Sequence, residues 1–217
     1  MNFVGRKYCN WNHGFAIVET VSELTAHGSQ YLSAFFVDIC RSGFIPITTC
    51  SPHNFALAKR YGASVVFDYA SPTVATDIRV HTKNSLFYIL DCITDEHSVS
   101  VCYGAMGRAG GKYVCLEACP PQWRTRKAIH MDFLMGYEMF GKDVLLDQEG
   151  VYSRKARPER KEMAVEWYKT VSRLAKEKKI KAHPVEVVDG MWDGVIRAMG
   201  ILKKGGVSGK KLVVRVG

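Results

Sequence analysis

Residues 43–69 read GFIPITTCSPHNFALAKRYGASVVFDY and contain one full strand–helix–strand cycle. Residues 43–49 are a short apolar run ending in two threonines, too short for a helix and rich in β-branched side chains. Residues 54–62 (NFALAKRYG) read as a helix stopped by Gly62. Residues 64–68 form a second apolar run closed by Asp68. Two parallel strands joined by a crossover helix fit that order; a hairpin does not.

The cycle repeats downstream. Residues 73–82 read as a helix, 87–92 as a strand, 95–106 as a helix, and 112–116 as a strand after the Gly107–Gly111 turn. Strands recurring at roughly 20 to 25 residue intervals with helices between them define a doubly wound α/β parallel sheet. Upstream, residues 33–41 suggest an apolar helix preceded by a turn at 25–30, and 15–18 a possible strand. Residues 118–158 show no clear period. A strong helix is expected over 159–181, with Met163, Trp167, Val171 and Leu174 on one face and lysines and arginines on the other. A strand at 183–188, a helix at 191–204 and a terminal strand at 210–216 complete the chain.

The 217 residues are 47% hydrophobic and 24% charged, proportions of a folded globular chain rather than a disordered or fibrous one. No apolar run reaches the length of a membrane span. The seven cysteines are odd in number, scattered through apolar stretches, and lack CxxC spacing or a four-ligand zinc set; they read as buried, reduced thiols. With no signal-like N-terminus, the expected location is cytoplasmic. Residues 1–150 hold 13 Lys+Arg against 14 Asp+Glu, and residues 151–217 hold 17 against 7. The net charge of +9 therefore lies in the last third. Without a nucleic-acid motif or stacking platform, that excess does not indicate a nucleic-acid partner. Lys169, Arg173, Lys176, Lys178, Lys179 and Lys181 give the long helix a basic face, a candidate surface for an acidic partner.

In a doubly wound sheet, ligands bind beyond the carboxyl ends of the strands. The turn His27-Gly28-Ser29 is the candidate phosphate loop, although a full GxGxxG is absent. An NAD site puts an acidic residue at the end of the following strand. Here that position reads Cys50-Ser51-Pro52-His53-Asn54, offering hydroxyl, imidazole and amide groups, with Lys59 and Arg60 further on. Those groups suit a 2′-phosphate, and so NADP; capping of the next helix by Ser51, with Pro52 in its first turn, is the competing structural role. No catalytic triad, paired-carboxylate motif or HExxH occurs, and no general acid is singled out.

The stretches at 45–69, 82–94 (TKNSLFYILDCIT), 107–117 (GRAGGKYVCLE), 135–141 (MGYEMFG) and 207–216 (VSGKKLVVRV) resemble the medium-chain dehydrogenase/reductase superfamily. Within it they are most similar to fungal trans-acting enoyl reductases of polyketide biosynthesis. The resemblance runs over about residues 27–217 and implies a Rossmann-like NADP-binding domain at 27–190. A divergent segment would precede it at 1–26, and a C-terminal helix and strand at 191–217 would return to the family's substrate domain. Most of that N-terminal, barrel-like domain has no counterpart here, so the terminal strand is expected to lack its partner.

By resemblance, NADPH contacts fall to Ser29, Gln30, Ser51, Pro52, His53, Asn54, Tyr69, Leu116, Glu117, Val207 and Ser208. Substrate contacts fall to Gly136, Tyr137, Glu138, Met139 and Phe140, and no metal is implied. Gln30, Tyr31 and Leu32 are bulkier than the family's phosphate loop. The implied activity is reduction of an α,β-unsaturated thioester carried by the acyl carrier protein of a polyketide synthase, or of a synthase–peptide synthetase hybrid. The alternative is an NADPH-binding remnant without turnover.

Overall fold

The structure, a computed structural model, describes residues 15–19, 43–146 and 150–217. Six parallel strands form the main sheet: β1 Phe15–Glu19, β2 Ile45–Cys50, β3 Val65–Asp68, β4 Tyr88–Asp91, β5 Gly111–Cys115 and β6 Ile129–Phe133. Their order is β3-β2-β1-β4-β5-β6, the arrangement of dinucleotide-binding sheets. The chain winds outward from β1 to β3, then crosses to β4 on the other side. The strand order thus reverses between β1 and β4, where Glu19 is in register with Asp91.

Helices α1 (Phe55–Tyr61), α2 (Val74–His81) and α3 (Glu96–Ala105) are the crossovers. Each follows from its sequence. Gly62 closes α1 with a left-handed C-cap, and Asp95 opens α3 through a reciprocal capping box with Ser98. One apolar core, including Ile47, Ile78, Ile89, Val99, Tyr113 and Phe133, lies between sheet and helices, and a smaller one, around Cys50, Ala58 and Tyr61, lies under α1.

Three expectations change. The sheet begins with β1 at residue 15, inside the segment assigned as divergent, and that strand pairs on both sides with β2 and β4. The region after 117 contributes β6, which adds to β5. Ile129, Met131 and Phe133 alternate with His130 and Asp132 along β6, a period-2 signal confined to five residues within the long excursion. Arg126 anchors the approach to β6 by donating to the carbonyls of Tyr103 and Met106 (both 2.9 Å) and Gly107 (2.7 Å) at the C-terminal end of α3.

The third change concerns the terminal strand, which has a partner. After the short pair β7 (Val144–Leu145) and β8 (Ser153–Arg154) comes α4, Pro158–Lys176. Then β9 (Val185–Val188), α5 (Met191–Lys203) and β10 (Lys211–Val214) form a β-α-β unit with β9 and β10 parallel. Strand pairing therefore crosses the 190/191 division. Buried Gly194 and Ala198 turn the small-residue face of α5 inward; a Cβ on Gly194 would stand 3.0 Å from Val214. Trp192, Ile196 and Met199 stand exposed.

Candidate functional site

The described candidate residues lie along the carboxyl edge of the main sheet or are folded back onto it. Ser51–Asn54 follow β2, Tyr69 follows β3, Leu116 and Glu117 follow β5, and Gly136–Phe140 follow β6. Ser29 and Gln30, with the rest of the candidate phosphate loop, lie outside the described residues.

The tightest cluster joins residues far apart in sequence. Residues 52–54 form a 3-10 turn running directly into α1, with Ser51 and Asn54 buried. Asn54 Nδ2 donates to Ser208 Oγ at 2.9 Å and stands 3.3 Å from His53 Nε2, while His53 Nε2 and Ser208 Oγ are 2.8 Å apart. The imidazole tautomer decides whether His53 or Ser208 donates in their shared bond, and the junction brings imidazole, hydroxyl and amide groups together at this turn. Val207 is buried beside this turn.

Gly209, which the sequence reading does not pick out, makes the approach possible. It has φ +67°, and a Cβ there would stand 2.5 Å from Asn54 Oδ1. The signal is visible only as one glycine among several in the 205–209 turn. Lys59 and Arg60 do not join the cluster: they occupy the last turn of α1, where Lys181 Nζ donates to the Arg60 carbonyl at 2.7 Å. Asp68, at the end of the neighbouring strand β3, accepts from Ala70 N at 3.0 Å. The end of β2 thus presents neutral donors and no carboxylate of its own.

Tyr69 is half-buried, packed edge-on against His97, whose Nε2 lies 3.0 Å from the Tyr69 carbonyl oxygen. Leu116 is 39% exposed where β5 ends, its N–H bonded to the Asp91 carbonyl at 3.2 Å. Glu117 is exposed, accepting from Ala118 N at 2.7 Å and from the Tyr152 hydroxyl.

The segment 136–140 is a 3-10 helix whose side chains divide by role. Tyr137 and Phe140 are exposed, and Gly136, Met139 and Phe140 line a cleft of about 1060 Å³ against α4. Glu138 faces the other way. It is 2% exposed, accepts from Met135 N at 3.1 Å, and pairs with Arg154 (3.3 Å) and Arg157 (3.5 Å). A buried carboxylate with those partners positions the turn and leaves no oxygen facing the cleft without a partner.

Asp91, at the end of β4, is fully buried. Its Oδ1 accepts from Ile93 N and Thr94 N (both 2.9 Å), and its Oδ2 from Ser98 (2.8 Å) and Tyr113 (2.7 Å). Burial, then Asp91, holds the Tyr113 hydroxyl far above its ordinary pKa. This carboxylate fixes the β4–α3 turn at the crossover point; its acceptor sites are committed. The thiols are equally inert: burial, with Asp68 second, pushes Cys50 up to about 12, and burial chiefly does the same to Cys115. Among the described residues no group of His, Cys, Asp and Glu is placed to hold a metal ion.

No family model matches the chain. Over 191 residues it is 43% identical to the trans-enoyl reductase ccsC of Aspergillus clavatus, covering 88% of this chain and 52% of that protein. It is 42% identical over 175 residues to the lovastatin nonaketide synthase enoyl reductase component lovC of Aspergillus terreus, covering 81% and 48%. This chain is a relative of the fungal trans-enoyl reductases. It spans about half the length of the relatives it matches. Among solved structures, the CurK enoyl reductase superposes with a TM-score of 0.61 at 12% identity over 94% of this chain and 55% of the other. An NADPH:quinone reductase from Bacillus thuringiensis gives 0.63 at 12% identity over 92% and 55%. These likenesses establish the fold, a doubly wound dinucleotide-binding sheet.

Proposed function

We propose that this chain is the cofactor-binding part of an NADPH-dependent enoyl reductase acting on carrier-bound polyketide thioesters, in trans to a polyketide synthase or synthase–peptide synthetase hybrid. The observation that carries the cofactor choice is the junction of His53, Asn54 and Ser208 at the carboxyl end of β2. The donor chemistry fits a 2′-phosphate: an imidazole N–H and neighbouring hydroxyls answer a dianion, whereas a ribose diol calls for a carboxylate acceptor there.

When bound, NADPH supplies the hydride that reduces the β-carbon of the unsaturated thioester. Residues 51–54 with Val207 and Ser208 hold the adenosine end, and Tyr69 flanks the path across the sheet edge. Leu116 and Glu117 border the nicotinamide, with Tyr152 holding the Glu117 carboxylate in place. Ser29 and Gln30 take the pyrophosphate. Gly136, Tyr137, Met139 and Phe140 line the acyl site, and Glu138 holds their turn from behind.

The cytoplasm is the proposed location; among the described residues no helix is long and apolar enough to cross a membrane. A second reading, a binding module without turnover, is favoured by the open apolar side of α5, where Trp192, Ile196 and Met199 are 64–69% exposed. Two measurements separate the readings: the shift in melting temperature with NADPH, and loss of nicotinamide absorbance with an enoyl thioester. Binding with turnover supports the reductase and binding alone the module; no shift at millimolar NADPH contradicts both.

A further inference from the structure

The cleft between the 136–140 turn and α4 extends well beyond the segment that contacts substrate by resemblance. It runs from Lys161 to Lys176, 16 residues of helix spanning roughly 22 Å of groove. Its floor is apolar and open to solvent: Phe140, Val165 and Tyr168 are all exposed. Arg160 and Leu174 of α4 are buried in the fold, and buried Ala164 lies at the bottom of the groove. These exposed side chains therefore do not serve the protein's own core.

The rim is cationic. Lys161, Arg173 and Lys176 line the groove, as does Lys169, which is bonded to Glu166 at 2.7 Å. The stem of Lys161 lies over Gly141, whose φ of +66° and missing Cβ leave room for it, so its ammonium group reaches the groove edge. The single acid in the lining, Glu177, is paired with Lys179. An apolar floor with Lys161 at one end and Lys169, Arg173 and Lys176 toward the other is the complement of an amphipathic helix with acidic flanks.

We propose that this groove is the docking site of an acidic carrier-domain helix, seated with its apolar side on Phe140, Val165 and Tyr168 and its carboxylates on Lys161, Arg173 and Lys176. The choice of a carrier domain rests on the function proposed above; the acidic, helical chemistry of the partner rests on the groove alone. Docking here would bring the carrier's acyl chain to the Gly136–Phe140 turn, which forms the other wall.

The test is a fluorescence titration of this protein with the holo carrier domain of the lovastatin nonaketide synthase at low salt. Saturable binding is expected, weakened about tenfold by Arg173→Glu/Lys176→Glu and about threefold by Arg173→Gln/Lys176→Gln, which spares the helix end a reversed charge. Val165→Asp should weaken it comparably. The control pair Lys203→Glu/Lys204→Glu, exposed at the end of α5, should leave it within about twofold. No saturable binding by the unaltered protein, or equal loss in the control pair, overturns the proposal. NADPH thermal shifts and turnover of a free enoyl thioester, measured on the Arg173/Lys176 and Lys203/Lys204 variants, should not change. If the unaltered protein shows neither, the enzymatic reading fails, while the titration still judges the groove.

Discussion

Asn54 and Ser208, 154 positions apart, are joined by a hydrogen bond of 2.9 Å that fastens the C-terminal β-α-β unit to the end of β2. His53 shares the same hydroxyl at 2.8 Å. One bond thus serves two ends: it fixes the position of β10 and orients the donors proposed for the 2′-phosphate.

Ser208→Ala should therefore weaken NADPH binding about 5- to 30-fold, the loss of one or two hydrogen bonds of roughly 1 kcal/mol each. Melting temperature without cofactor should also fall by about 2–4 °C, because the same hydroxyl fastens the C-terminal unit to the end of β2. Gly209→Ala should do more, because it combines a strained φ with a close approach to Asn54; a reduction of at least 1 kcal/mol in unfolding free energy is expected. Isothermal titration and urea unfolding measure the two effects.

Asp91 carries structure rather than chemistry. Asp91→Ala leaves two backbone N–H groups and two hydroxyls without their acceptor in a fully buried site, so a loss of about 3 kcal/mol or more is expected by urea unfolding. Asp91→Asn keeps Oδ1 for the two backbone donors and should cost less. Equal stability of the alanine variant and the unaltered protein would refute this role.

His183 makes stability depend on pH. Burial, and then Lys211, lowers its pKa below the ordinary value of about 6.5; its Nδ1 lies 3.0 Å from the Tyr61 hydroxyl, and its Nε2 has no hydrogen-bond partner. The unfolded chain thus takes up a proton at a pH where the folded protein does not. This group's contribution is fully present above about pH 6.5 and is lost as pH falls through that value toward the lower, folded pKa. Melting curves between pH 8 and 5.5 should drop less steeply for His183→Phe, which keeps the stack on Tyr61, than for the unaltered protein. Parallel curves would exclude His183 as a source of the slope.

Thiol reactivity should follow burial. At pH 8 in the native state, Cys50 and Cys115 should resist iodoacetamide, with thiol pKa values about 12, whereas half-buried Cys92 should be the first of the five described cysteines alkylated. Peptide mass spectrometry after timed quenching reads the order directly.

The inner cycle of the sheet was legible because its strands are short and apolar, its helices are amphipathic, and Gly62 and Asp95 mark helix ends. β1 was harder: it starts 30 residues before β2, against 20 to 23 between the starts of β2, β3, β4 and β5, so its run Phe15–Val18 gained nothing from the regular spacing further on. β6 carries an alternating pattern, Ile129, Met131 and Phe133 against His130 and Asp132, but its five residues stand alone in the aperiodic stretch after residue 117. The β2-end donors could be read from local chemistry, but their meeting with Ser208 is a tertiary fact with no local signal. Glu138 shows the converse. Its segment matches a substrate-lining motif, yet its own side chain is turned inward by Arg154 and Arg157, whose spacing from it follows no helical or strand period.

The most direct measurement compares the affinities of NADPH and NADH for the unaltered protein and for a His53→Ala/Ser208→Ala variant by isothermal titration. The donor cluster predicts that the unaltered protein prefers NADPH by at least about tenfold, and that the variant loses most of that preference while binding NADH as before. Equal affinity for the two nucleotides in the unaltered protein, or a preference that survives in the variant, would contradict the assignment of this cluster to the 2′-phosphate.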